Sequence, residues 1–294
     1  MQELWGIDLG GTKLEGIVLR DDSPVCRIRI DTEAAQGYHH ILGRIQLLIS
    51  KMEDAAESKS SKIGFATPGF LDPIQGVMKN CNTFELNGKP LKRDLENILG
   101  INAQIANDAN CFTLAEATRG AAQSGRVVFG VILGTGVGGA VVIDSQVWQG
   151  AQGIAGEWGH NLLIPGGPKC YCGKSGCVEA VISGPALERY HFEISGNHLK
   201  LAEIAARTGV DQYAAKTITR LLDYFGSALA VVLNILDPDI VVVGGGVSNL
   251  NVIYDQLEEK LLPHLFNYEL RTRIVKNALG DSAGVFGAAM LWAK

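Results

Sequence analysis

One imidazole and three thiols fall between positions 160 and 177 of this chain: His160, Cys170, Cys172 and Cys177. The stretch is broken by Pro165, Pro168 and several glycines, so neither helical nor strand periodicity accounts for the cysteines as core. Three thiolates and one imidazole make a closed tetrahedral Zn²⁺ site. The Cys-x-Cys spacing and the turn from Gly173 to Gly176 allow the backbone to curl round such an ion. A disulfide would leave one of the three cysteines over, and no secretory context favours one. Glu157 and Glu179 flank the segment. A histidine nitrogen that does not bind metal carries a proton. The segment therefore offers one donor and two carboxylate acceptors, a combination suited to a polyol, whose hydroxyls both donate and accept.

Three further groups of residues have chemistry in their spacing. Asp8-Leu9-Gly10-Gly11-Thr12-Lys13 is a candidate phosphate loop, with backbone N–H groups, a hydroxyl and a cation turned toward an anion. A plain Gly-Gly hairpin with a solvated lysine reads the same residues equally well. Asp8 at the end of a strand favours the phosphate reading, because a carboxylate there can hold Mg²⁺ through water. Gly134-Thr135-Gly136-Val137-Gly138-Gly139 matches the dinucleotide fingerprint Gly-x-Gly-x-x-Gly. That fingerprint must open a helix, whereas Ala140 to Ile143 is β-branched and reads as strand, so a nicotinamide dehydrogenase is the weaker alternative. With no helix N-terminus expected beside them, the glycines form a second hairpin loop, one of a pair able to hold a polyphosphate. Gly244-Gly245-Gly246 after a buried strand suits a flat adenine or ribose, or is a simple strand-to-helix turn. Asn107-Asp108 ends a strand before a helix, where either residue can be an N-cap or Asp108 a general base.

These residues must be carried by an α/β framework. Alternation predicts strands over 4–9, 14–19 and 25–31, an opening antiparallel meander, then a helix over 37–57. A strand over 62–66, a helix over 91–99, a strand over 103–106 and a helix over 109–118 complete a first unit. A second unit opens with strands over 127–133 and 140–144. Helices over 183–189, 202–207 and 213–236, a strand over 240–243, a helix over 251–262, a strand over 271–275 and a helix over 284–292 follow. Two similar lobes of this kind enclose a cleft, with glycine turns lining it.

At 294 residues, with 47% hydrophobic and 19% charged residues, the chain has ample core for one large or two medium domains. Its net charge of −5 argues against a nucleic-acid footprint. No basic n-region precedes the first strand, and no apolar run approaches the ~20 residues of a membrane helix. Cys26, Cys81 and Cys111 are scattered singly, as in a reducing compartment, so the expected location is the cytoplasm. The 36 glycines gather at the motifs rather than spreading as a repeat.

Taken in order, Asp-x-Gly-Gly-Thr-Lys, Asn-Asp, Gly-Thr-Gly-x-Gly-Gly, Gly-Glu-Trp-Gly-His, Cys-x-Cys-Gly-x-x-Gly-Cys-x-Glu and Gly-Gly-Gly resemble the ROK family of sugar kinases and sugar-responsive repressors, nearly end to end. The resemblance implies a two-domain actin-like (hexokinase/RNase H-like) ATPase fold with a zinc-binding segment, 157–179, in the second domain. The expected domains are a small lobe, 1–118, joined by the C-terminal helix 284–294, and a large lobe, 119–283. It implies ATP with Mg²⁺, held by Asp8, Gly10, Gly11, Thr12, Lys13, Gly134, Thr135, Gly136, Gly244, Gly245 and Gly246. Asp108 is the implied base for a sugar's 6-hydroxyl, with Asn107, Glu157, His160 and Glu179 on other hydroxyls and Pro68-Gly69 as a backbone wall. Zinc falls to His160, Cys170, Cys172 and Cys177. A homodimer is expected by the same resemblance, with neither nucleic acid nor membrane as partner. Repressors of the family carry a helix-turn-helix domain before the first strand, for which a strand starting at residue 4 leaves no room. The runs 78–83 and 86–91 look most like the fructokinase/mannokinase branch, and 107–112 is shared with the N-acetylglucosamine kinase branch. The expected substrate is fructose, ahead of mannose, glucose and N-acetylglucosamine.

Overall fold

The computed structural model describes residues 2–293; Met1 and Lys294, the ends of the expected first domain, lie outside the described residues. The chain divides into two compact units. The first comprises Met1–Gln123, Val141–Ala155 and Leu279–Lys294, the second Ser124–Ala140 and Gly156–Ala278. Residues 119–123, 141–155 and 279–283 thus group with the first unit, not with the expected large lobe 119–283.

In the first unit, β1 (Glu3–Leu9), β2 (Lys13–Arg20) and β3 (Ser23–Asp31) form the antiparallel meander. After α1 (Tyr38–Ala56), β4 (Lys62–Thr67) joins the free side of β1 in parallel. A small ribbon of β5 (Phe70–Leu71) and β6 (Met78–Lys79) and then α2 (Leu91–Leu99) lead to β7 (Asn102–Asn107), parallel to β4, and to α3 (Asp108–Arg119). The strand order is β3-β2-β1-β4-β7.

Alternation along β1 separates two faces of this sheet. Trp5, Ile7 and Leu9 join Ile41, Ile45, Leu48 and Met52 of α1 and Leu91 and Leu95 of α2 in one apolar core. Gly6 and Asp8 face the other way, toward the C-terminal helix, Ala283–Met290. That helix lies almost on the backbone. A Cβ on Gly6 would stand 2.3 Å from Ala289 N, one on Gly64 of β4 1.8 Å from Ala288 O, and one on Gly287 1.8 Å from Cys111 O of α3.

In the second unit, β8 (Val127–Leu133) turns into β9 (Val137–Ile143), whose end pairs with β10 (Gln146–Val147) inside the first unit. The strand begins three residues earlier than the sequence suggests, so Gly138 and Gly139 lie within it. After α4 (Val178–Ile182), α5 (Gly184–Ser195), α6 (Leu201–Ala206) and α7 (Gln212–Leu236) comes β11 (Ile240–Gly244), parallel to β8. Then α8 (Val252–Leu261) leads to β12 (Arg273–Lys276), parallel to β11, and the C-terminal helix is α9. Both sheets mix parallel and antiparallel pairs. By length and composition α7 could cross a membrane, contrary to the sequence reading, but half of its most apolar window is buried. Leu221, Phe225 and Leu229 form its core stripe.

Candidate functional site

Trp158 fixes the approach to the cysteine segment. Its ring packs edge-on against Phe129 of β8 and lies 6.1 Å from Phe225 of α7, and its indole N–H donates to Gly138 O at 3.0 Å. The flanking glycines permit this closeness: a Cβ on Gly139 would meet Trp158 Cδ1 at 2.4 Å, and one on Gly159 would meet Val137 O at 2.0 Å. The 3₁₀ turn Trp158–His160 is therefore clamped onto β9, and His160 emerges from it at a set position.

There the structure brings His160, Cys170, Cys172 and Cys177 together, with one ligand atom from each lying within 4.8 Å of the others. His160 Nδ1 is 3.6 Å from Cys170 Sγ, and Cys172 Sγ is 3.7 Å from Cys177 Sγ. A tetrahedral zinc with Zn–S of about 2.3 Å and Zn–N of about 2.0 Å gives edges of roughly 3.8 Å for S···S and 3.5 Å for N···S. The residues fit zinc in chemistry and in spacing. Nδ1 faces the sulfurs, and Nε2 points away, 3.1 Å from Tyr171 Oη.

The short α4 puts Glu179 in its first turn. Glu179 Oε2 accepts from Val137 N at 3.0 Å, at the end of the glycine hairpin, while Oε1 lies 3.8 Å from Cys170 Sγ. One carboxylate thus ties the cysteine segment to the β8–β9 turn. Glu157, just before Trp158, is half-buried.

In that turn, Gly134 N donates to Gly136 O at 2.9 Å. Gly134 and Thr135 line a cavity of about 610 Å³ with Gly184, Pro185, Glu188, Lys200, Leu201, Val247 and Leu250. Gly246 lines it too, opening the 3₁₀ turn Gly246–Asn249. Gly245 adopts φ +84°, where a side chain is strained, and Gly244 is buried at the end of β11. The expectation that no helix start lies beside this hairpin is overturned, because α5 begins on the cavity wall. Its terminus is nonetheless already satisfied. Gly184 N donates to Gly134 O at 2.9 Å, Pro185 has no N–H, and Ala186 N donates to the Ser183 cap hydroxyl at 3.4 Å. A helix start without free N–H groups is a poor pyrophosphate seat, and the cavity suits a flat, partly apolar ring instead.

In the first unit, the β1–β2 turn leaves Gly11, Thr12 and Lys13 exposed, with Lys13 already in β2. Its frame is held by Gly10 N to Lys13 O at 3.0 Å and by Thr32 Oγ1 donating to Gly10 O at 2.7 Å. Asp8 is pushed up to about 6, first by burial, then by the charges of Asp108 and Glu15. Glu15 itself is held down by Arg27 and Arg29 against the cost of its burial. Of the neighbouring pair, Asn107 is the N-cap of α3, its Oδ1 accepting from Asn110 N at 2.7 Å. Capping therefore does not account for Asp108. Asp108 opens α3, accepts from Ala109 N at 2.8 Å and keeps an exposed surface. Burial by the dense protein around it still pushes its pKa up. Pro68 and Gly69 bridge β4 and β5: Thr67 Oγ1 donates to Gly69 O at 2.9 Å, and Asn82 N donates to Pro68 O at 3.2 Å.

The sequence model of the ROK family matches residues 4–294, essentially the whole described chain. The chain belongs to the ROK family. The N-acetyl-D-glucosamine kinase of Aliivibrio salmonicida is 36% identical over 299 residues, spanning 98% of both proteins. Among solved structures, the ROK hexokinase from Thermus thermophilus superposes with a TM-score of 0.89 at 31% identity, covering 99% of this chain and 97% of that one. A ROK family glucokinase from Streptomyces griseus, in complex with glucose and AMPPNP, gives 0.79 at 25% identity over 99% of each.

Within this ROK chain, sequence reasoning passed over three residues that shape the site. Trp158 carried a signal, since a tryptophan in the run Gly156-Glu157-Trp158-Gly159 needs a pocket close to backbone. Tyr171, between two ligand cysteines, carried a weaker one. Glu15 has its arginine partners on β3, and only strand register reveals them.

Proposed function

We propose that this protein is an ATP-dependent kinase that phosphorylates the 6-hydroxyl of N-acetylglucosamine, within the actin-like two-domain fold of hexokinases. The observation that carries this reading is end-to-end similarity to N-acetyl-D-glucosamine kinases at up to 36% identity. The fructose preference expected from the runs 78–83 and 86–91 has no counterpart among these relatives and gives way to N-acetylglucosamine.

In this reading Asp108 takes the hydroxyl proton. Burial pushes its pKa up, which makes its carboxylate a stronger base than an ordinary aspartate. Asn107, locked as a helix cap, and the Pro68-Gly69 backbone hold the sugar. Glu157, His160 and Glu179 take its hydroxyls. Zinc, when bound, knits His160 and the three cysteines together and leaves the Nε2–H of His160 as a fixed donor. The 610 Å³ cavity takes adenine and ribose, with Gly245 and Gly246 beneath them. Gly10 to Lys13 and Gly134 to Gly136 present N–H groups to phosphates. Asp8, whose charge is disfavoured by Asp108 and Glu15, gains from Mg²⁺ carried in with ATP. Positioning and electrostatics carry phosphoryl transfer of this kind.

A pyruvate-kinase-coupled assay over N-acetylglucosamine, glucose, mannose and fructose tests the assignment. The expected order of kcat/KM puts N-acetylglucosamine first. A tenfold advantage for fructose would reinstate the other preference, and no turnover with any hexose would end the kinase reading.

A further inference from the structure

Tyr171 stands between two metal-ligand cysteines, with 78% of its surface exposed. Its ring meets His160 edge-on, centroids 5.2 Å apart at 82°, and its hydroxyl lies 3.1 Å from Nε2. With Nδ1 turned to the thiols, Nε2 carries the imidazole proton, so the N–H donates and the phenol oxygen accepts. That is the one donor His160 has to offer a sugar. An N–H serves one good acceptor at a time. An exposed phenol loses little when released, because water takes up its oxygen.

We propose that Tyr171 is a specificity residue whose hydroxyl fills the acceptor position of a sugar hydroxyl on His160 and must yield when sugar binds. The inference rests on the sugar-kinase reading. It makes sugar affinity a difference between two hydrogen bonds to the same nitrogen, and it selects for sugars whose hydroxyl outcompetes a phenol there. A net hydrogen bond of about 0.5–1.5 kcal/mol corresponds to roughly a 2–10-fold change in affinity.

The test compares the wild type with Tyr171→Phe, which keeps the ring and removes the oxygen, after metal analysis shows equal zinc in both. The sugar KM and the calorimetric Kd for N-acetylglucosamine are expected to fall 2–10-fold, with kcat and the ATP KM within twofold. An unchanged or raised sugar KM overturns the proposal. A second arm needs no sugar: ¹⁵N-histidine NMR of the zinc-loaded protein should show the His160 Nε2–H resonance shifted by Tyr171→Phe. If it does not shift, the hydrogen bond is absent and the proposal fails even if the enzyme is a kinase. If it shifts but no hexose is turned over, the fault lies with the kinase assignment.

Discussion

Two glycine hairpins open the two units, and they are held in opposite ways. The β1–β2 turn is fastened at its base, by Gly10 N to Lys13 O and by Thr32 from the end of β3, while Gly11, Thr12 and Lys13 stay exposed. The β8–β9 turn is gripped from outside. Glu179 accepts from Val137 N, Gly184 donates to Gly134 O, and a Cβ on Gly245 would press within 2.3 Å of Leu133 O. A glycine pair therefore marks where backbone must turn, not how firmly the turn is held. The first loop is shaped by its own strands, and its tip is left exposed. The second is held by a carboxylate that also touches the cysteine segment, so the two share one anchor.

The sharpest break in this picture is chemical and lies in the first unit. Asp108→Asn should keep fold and sugar binding yet lower kcat at least ~100-fold; turnover within a few-fold of wild type in the coupled assay would move the base elsewhere. Next comes the metal. About one zinc per chain is expected by metal analysis, and chelation should raise the sugar KM well beyond any change in the ATP KM. The same treatment probes the coupling, since loosening the cysteine segment frees Glu179.

The hairpins are compared directly by adding one methyl group to each. A Cβ at Gly136 would stand 2.7 Å from Glu179 Oε2, whereas one at Gly11 would meet only Thr83 Oγ1 at 3.0 Å. Gly136→Ala should displace Glu179 and raise the sugar KM about tenfold, about one hydrogen bond to a charged group. Gly11→Ala should change the ATP KM two- to threefold and leave the sugar KM alone. Equal effects on both substrates from both variants would erase the distinction.

The smallest effect is in stability. Burial, then the charges of Asp108 and Glu15, push the Asp8 carboxyl up to about 6 from its ordinary 3.8, so its proton is held more tightly in the folded state. That contribution is fully present below about pH 4 and is lost as pH rises through 6. Asp8→Asn should therefore raise Tm by a few degrees at pH 8, corresponding to at most about 3 kcal/mol, and leave it unchanged near pH 3. Thermal melts at the two pH values decide this.

Much of the framework was legible because its periods are strong. The three-strand meander, the long helices and the strand over 240–243 read directly from alternation, apolar runs and 3.6-residue spacing. The candidate ligand set was legible because one imidazole and three thiols in a turn-rich stretch follow neither helical nor strand periodicity. Other parts had no local signal. Five-residue α4 and the 3₁₀ turn at 158–160 are too short to show a period, yet they place Glu179 and His160. Whether Asn107 or Asp108 caps α3 is a choice between two good caps that only coordinates resolve. The start of α5 on the cavity wall was missed because a Gly134–Gly184 contact spans fifty residues of chain. Glu116 shows the same limit: buried in α3, it accepts from Leu279 N across 163 positions.

The C-terminal helix has a consequence for biosynthesis. Gly6, Gly64 and Gly287 let α9 lie against β1, β4 and α3 with almost no space between, yet α9 follows the second unit in the chain. During translation the sheet of the first unit therefore waits, the face under α9 uncovered, until the whole of the second unit has been made. The second unit, apart from its opening strands, is continuous from Gly156 to Ala278 and can mature beforehand. A nascent chain stalled short of residue 283 would expose Ala66, Ala106 and Cys111, the apolar patch that Ala288 covers, and would be a natural client for a chaperone.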